Sequence, residues 1–171
     1  MKKNKPMDQN IILNHDELEH KIKRIAHQIF ETFADEDEII LAGIANNGFI
    51  FAEKISKVLK KISPLKVILC EVKIDKLNLF NTISTSITKE VYSNKSIVLV
   101  DDVLNSGSTL IYGVKHFLDV PLKKFKTAVL VDRNHKKFPV KADFKGISLS
   151  TSSKEHVHVV FENNNNYVYL V

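Results

Sequence analysis

The sequence predicts an α/β fold: one domain with a mainly parallel sheet, helices on both faces and a small C-terminal hood. Three observations lead there. Apolar, largely β-branched runs at residues 39–44, 97–100 and 125–131 suit strands covered on both faces, as in a parallel sheet between helix layers. Segments with helical apolar spacing, at 14–34, 49–62 and 110–118, alternate with those runs as a β-α-β chain requires. The chain closes on residues 156–162, an asparagine run and residues 167–171, the pattern of a β-hairpin whose turn tolerates positive φ.

With 171 residues the chain can hold one domain with a full core but not two typical ones. Its 44% hydrophobic and 26% charged residues are an ordinary globular balance. No apolar run reaches the length of a membrane span, and the start lacks a signal-peptide segment, so a cytoplasmic location is expected. The single Cys70 sits in the apolar run 67–70 and reads as a small packed hydrophobe in a reducing compartment. A net charge of +5 favours anionic partners such as phosphates or RNA, although scattered lysine on helix faces reads equally as solvated surface.

Residues 1–10 read as a basic, poorly ordered arm and residues 11–171 as the domain. The first helix begins near Asn14, with Glu17 at capping-box spacing and Leu18, Ile22, Ile25, Ala26, Ile29 and Phe33 on one face. Strand 39–44 runs into Gly43-Ile44-Ala45-Asn46-Asn47-Gly48, whose glycines allow a tight turn with outward amides before helix 49–62. Phe49 and Ile50 stand where a nucleotide P-loop needs Lys and Ser/Thr, and no Gly-x-Gly pair exists, so both of those fingerprints are excluded. Residues 65–74 form a third strand whose end turns polar, and residues 76–96 read as a short hairpin. Helix 110–118 is stopped by Pro121. His156 and His158 share a strand face but lack partner ligands at metal-binding spacing.

The chemistry concentrates at Ile97-Val98-Leu99-Val100-Asp101-Asp102-Val103-Leu104-Asn105-Ser106-Gly107-Ser108-Thr109. Two adjacent carboxylates at a strand end can accept hydrogen bonds from vicinal hydroxyls or hold a hard cation. Small hydroxyl residues around one glycine, just before a helix, form a phosphate cradle. The plainer reading is a solvated acidic turn followed by a Ser or Thr helix cap.

This run resembles the phosphoribosyl pyrophosphate (PRPP) motif of the type I phosphoribosyltransferases, and residues 11–162 resemble that family as a whole. The resemblance implies the type I fold and transfer of a phosphoribosyl group from PRPP to a nucleobase with Mg²⁺, in a homo-oligomer. Carried over by position, Asp101 and Asp102 hold the ribose and, through water or ribose, the metal. Asn105, Ser106, Gly107, Ser108 and Thr109 bind the 5′-phosphate, and Ala45, Asn46, Asn47 and Gly48 meet the pyrophosphate. The block at residues 130–146 resembles a subgroup of pyrimidine operon regulators that are uracil phosphoribosyltransferases and bind RNA. It implies a base hood carrying Asp132, Arg133 and Phe144, with Phe144 stacked on a nucleobase, and uracil as first choice of base.

The chain departs from the family in four places. The 43–48 loop has no Lys or Arg, the 76–96 interval is short for a lid, Asn105 replaces an Asp or an aromatic residue, and Ser108 replaces a Lys or Arg. The short lid and the uncharged loop keep a second expectation open, a regulator that binds nucleotide and RNA with little or no turnover. A third, an unrelated α/β phosphate-binding domain, requires both matching blocks to be coincidental.

Overall fold

The computed structural model describes residues 10–171, so the expected arm lies outside the described residues apart from Asn10. Asn10 opens a strand, β1 (Asn10–Leu13). Helix α1 (His15–Thr32) follows, with Asn14 and Glu17 forming the expected capping box: each side chain accepts the other's backbone N–H, at 3.0 and 2.9 Å. Its buried residues are Leu18, Ile22, Ile25, Ala26 and Ile29, the predicted stripe. Next come β2 (Glu38–Ile44), α2 (Asn47–Ile62) and β3 (Lys66–Lys73).

The interval read as a hairpin forms instead a two-residue strand, β4 (Ser84–Thr85), and one helical turn, α3 (Lys89–Tyr92). Only β4 pairs with the sheet, antiparallel to β3. Tyr92 is fully buried with its ring edge-on to Phe117 at 5.0 Å, and this burial draws the segment into a helical turn rather than a second strand. The chain continues through β5 (Ser96–Leu104), α4 (Ser108–Phe117), β6 (Lys124–Asp132) and β7 (Phe144–Ser148), and ends in β8 (Val157–Val160) and β9 (Tyr167–Leu170).

The main sheet has the order β4-β3-β2-β5-β6-β7 and is parallel except at β4. Alternate residues of its central strands face opposite cores. Ile39, Leu41, Val98, Val100, Ala128 and Leu130 pack toward α1 and α2. Ile40, Ala42, Ile97, Leu99 and Val129 pack toward Leu110 and Phe117 of α4 and toward Tyr92. Burial on both faces explains why these strands read as continuous apolar runs.

From β2 the chain crosses to β3 on one side, whereas β5 lies on the other side and leads on to β6 and β7. The β2–β5 seam is therefore the switch point of the sheet, and the loops leaving the carboxyl ends of these two strands diverge. A crevice opens between them.

The hood is a three-stranded antiparallel sheet, β1-β9-β8. The C-terminal hairpin was expected; the N-terminal strand that completes it was not. Val159 and Val168 of the hood pack into the same core as α1 and α2, and Asn166 donates to His15 Nδ1 and Glu19 Oε1, at 3.1 and 2.9 Å. The hood is thus fastened to the start of α1.

Phe144 corrects the expectation of a base-stacking ring. It opens β7 in register with Ala128, well before the carboxyl end of β6, and is 7% exposed within the α1–α2 core. Phe144→Ala is expected to cost about 3 kcal/mol or more of stability, lowering the thermal midpoint by roughly 6 °C or more. An unchanged midpoint in a calorimetric scan contradicts a core role.

Candidate active site

The β2–β5 ladder ends at Gly43 opposite Val100, while the β5–β6 ladder continues through Asp101, Val103 and Leu104. The acidic pair, expected at the strand end, therefore lies two residues inside the carboxyl end of strand β5. On the β2 side the strand has parted from its neighbour at this point. The vacated space is taken by the start of α2.

Gly48 closes that space. A Cβ there would stand 2.8 Å from the Val100 carbonyl oxygen and 2.9 Å from Asp101 Cα, so only glycine lets the helix start approach the strand this closely. Asn47 then donates through Nδ2 to Asp102 Oδ2 (3.1 Å) and to the Val159 carbonyl (3.0 Å), joining the acidic pair to the hood. Of the four loop residues expected to meet a pyrophosphate, Asn47 and Gly48 lie against the carboxylates. None of the four lines the main cavity.

The main cavity, of about 400 Å³, is walled by Lys76, Asp101 to Leu110, Arg133 and the hood residues His156, Val157 and His158. Asp101 is 4% exposed; its Oδ1 accepts the Asp102 N–H at 3.0 Å and stands 3.8 Å from Lys76 Nζ. Loss of hydration pushes its carboxyl up to about 8, the charge of Asp102 adds to this, and Lys76 and the Asp102 N–H oppose it. Asp102 Oδ1 accepts the Val103 N–H at 2.9 Å. Each carboxylate keeps lone pairs for a ligand.

Facing the pair, Gly107 adopts φ 84°, a turn that favours glycine, and starts α4 at Ser108. Ser106 Oγ and Ser108 Oγ are 2.8 Å apart, and the Ser108 N–H donates to Ser106 Oγ at 3.2 Å. The Ser106 carbonyl accepts the N–H groups of Lys137 (2.7 Å) and Phe138 (3.2 Å), which fixes the loop from outside. The next amides, of Thr109 and Leu110, lie in the first turn of α4 and have no intrahelical acceptor. The result is a cradle of two hydroxyls and helix-start amides suited to a phosphate.

Asn105 and Arg133 meet at the cavity wall, Nη1 donating to Oδ1 at 3.1 Å. Asp132, expected beside Arg133 over a base, is 1% exposed, lies outside the cavity wall, and is held by Lys136 and Lys145 at 3.5 Å each. It braces the turn that follows, accepting the Asn134 N–H at 3.0 Å. The loop–strand architecture thus gathers Asp101, Asp102, Asn105 to Thr109 and Arg133 around one space and leaves Asp132 and Phe144 elsewhere.

Sequence reasoning did not place Lys76 or Val157 at the site, and weighed His156 and His158 only as a metal pair. Lys76 gave only the weak signal of a base following the polar end of β3. His156, Val157 and His158 belong to the hood, and His158 stacks on Tyr169 with ring centres 5.0 Å apart. Among the described residues no cluster of three or more His, Cys, Asp or Glu can hold a metal, and no helix is long and apolar enough to cross a membrane.

Comparison with known proteins bears on the family and the fold. The model of the phosphoribosyl transferase domain matches residues 8–165. The bifunctional protein PyrR of Caldicellulosiruptor bescii is 33% identical over 168 residues, covering 92% of this chain and 92% of the relative. PyrR of Corynebacterium glutamicum is 35% identical over 161 residues, covering 87% and 84%. Among solved structures, the hypoxanthine phosphoribosyltransferase of Trypanosoma cruzi superposes with a TM-score of 0.77 at 16% identity over 93% of this chain and 95% of the other. A hypoxanthine-guanine phosphoribosyltransferase of Bacillus anthracis gives 0.76 at 19% identity over 95% and 96%; these two likenesses speak for the fold.

The Asp101 carboxyl predicts a pH dependence. It ionises near 4 in an unfolded chain and near 8 in the native protein. Between these values the unfolded state has released a proton that the native state keeps, so native stability falls as pH rises from about 4 to about 8. Asp101→Asn is expected to match wild type in thermal midpoint at pH 4 and to exceed it by several degrees at pH 8. A difference that stays flat across the range would show an ordinary, hydrated carboxylate.

Proposed function

The chain belongs to the phosphoribosyl transferase domain family, and we propose that it transfers the phosphoribosyl group of PRPP to a nucleobase, uracil first, releasing pyrophosphate. The observation that carries this reading is the Asp101-Asp102 pair, with Asp101 buried and Asp102 half-buried, facing the Ser106 to Thr109 cradle across one cavity. A diol and a phosphate monoester fit those two walls together. The bond from C1′ to the pyrophosphate oxygen breaks, a bond from C1′ to a ring nitrogen forms, and the ring proton leaves to solvent.

Such a reaction gathers positive charge on the sugar and needs orientation and charge stabilisation rather than a covalent nucleophile. Asp101 and Asp102 hold the ribose hydroxyls, the Ser106 to Thr109 loop fixes the 5′-phosphate, and the 45–48 turn reaches the leaving group through Asn47 and Gly48, which lie against the carboxylates. Arg133 closes the base end. Mg²⁺ fits the donor set: the pair offers hard oxygen ligands, Asp101 is a buried acid that a cation would hold ionised, and the remaining ligands would be substrate oxygens and water. When bound, the ion supplies Lewis-acid stabilisation of the departing pyrophosphate.

The relatives' shared name, bifunctional protein PyrR, and the net charge of +5 favour a second activity on the same chain. In this reading the protein also senses nucleotide and binds RNA as a regulator of pyrimidine genes, with pyrimidine salvage as its enzymatic role. A cytoplasmic homo-oligomer accords with both.

Calorimetric titration of PRPP with Mg²⁺ tests the reading, followed by pyrophosphate release with a panel of bases. Wild type is expected to bind, and Asp101→Asn/Asp102→Asn to lose at least about tenfold in affinity through the missing charged hydrogen bonds. Release is expected with uracil. Binding without release for any base leaves the regulator alone, and a wild type that binds no PRPP overturns the proposal.

A further inference from the structure

Arg133 is 4% exposed and its guanidinium uses four of its five N–H donors. Nε donates to Thr151 Oγ1 at 3.0 Å, Nη2 to the carbonyls of Ser152 and Glu155 at 3.2 and 2.6 Å, and Nη1 to Asn105 Oδ1 at 3.1 Å. The last bond sets a direction as well as a position. A guanidinium has donors and no acceptor, so the Asn105 amide must turn its oxygen toward Arg133. Its NH₂ group then faces away, on a residue that walls the cavity, and among the described residues it has no acceptor.

We infer that Arg133 and Asn105 form a specificity device: a fixed donor that selects a keto-pyrimidine, whose carbonyl oxygen sits beside the reacting ring nitrogen. The inference rests on the phosphoribosyl-transfer reading and adds to it the residue that selects the base. A purine offers a C–H group or a recessed ring nitrogen beside its reacting nitrogen, and neither meets the amide as well. The ring anion of a keto-pyrimidine spreads its charge onto that carbonyl oxygen, where an N–H donor stabilises it. An amide takes up no proton near neutral pH, so Asn105 acts by donation and not as a base. Arg133 is the positioning residue: it holds the amide in the donating orientation while its other bonds anchor residues 151–155.

Asn105→Asp replaces the donor by an acceptor and keeps Arg133 paired, so the fold is retained. Two ratios are read in wild type and variant: kcat/KM for uracil against hypoxanthine, and affinity for UMP against IMP by calorimetry. Wild type is expected to favour the pyrimidine in both, and the variant to lose at least about tenfold of each preference. Arg133→Lys, which cannot hold two carbonyls and the amide at once, is expected to relax the ratios in the same direction. If that variant unfolds by circular dichroism, Asn105→Asp decides alone. Ratios within about twofold of wild type in Asn105→Asp, or a wild type that prefers the purine, overturn the inference, since a discriminating hydrogen bond is worth far more. PRPP titration reports separately on the underlying reading. Without PRPP binding or turnover, the UMP-to-IMP ratio still decides this one.

Discussion

The site depends on one unfavourable placement, a carboxyl group inside a strand whose neighbour has already turned away. Asp101 is almost without water, next to a second carboxylate, and opposed by a single lysine at 3.8 Å. A position that raises a carboxyl from near 4 to about 8 burdens the empty protein. In the proposed reaction it also favours a ligand that brings hydroxyls and a cation to the pair. Stability given up in the free state becomes binding free energy when those groups arrive.

The rest of the cleft follows from the parting of β2 and β5. Because the crossovers after these strands run to opposite sides, α2 and α4 both begin beside the seam. Gly48 sets how near α2 can come, and Gly107 sets the turn that starts α4. Asn47 then bonds both Asp102 and the Val159 carbonyl, so a side chain at the helix start couples the carboxylates to the hood. Sheet topology, helix starts and hood form one mechanical unit around the acidic pair.

Much of this architecture was readable from local pattern. The strands are apolar on both faces, the Asn14–Glu17 cap is a four-residue signal, and the run from Ile97 to Thr109 is contiguous, so sequence neighbours remain spatial neighbours. What was missed depends on pairing across the chain. Strand β1 is four residues long and acquires meaning only when β9 lies beside it. Phe144 was expected in a base hood, yet Asp143 Oδ2 accepts the Thr127 N–H at 2.9 Å and thereby starts a strand along β6. Lys76, His156 and His158 reach the cavity from segments with no motif of their own.

Lys76 also answers the lack of a cation in the 43–48 loop, which sequence reasoning took as a sign against catalysis. The positive charge beside Asp101 comes from another element, the segment after β3, where Asp75 accepts the N–H groups of Leu77 and Asn78 at 2.9 and 3.2 Å and the Asn81 amide at 2.7 Å. This bracing gives a short loop a defined shape without a core of its own; Leu77 and Phe80 remain exposed. A lysine carried there stands 3.8 Å from the Asp101 carboxylate. The missing charge was sought in the loop that contacts the carboxylates. The fold supplies it from the segment that covers them.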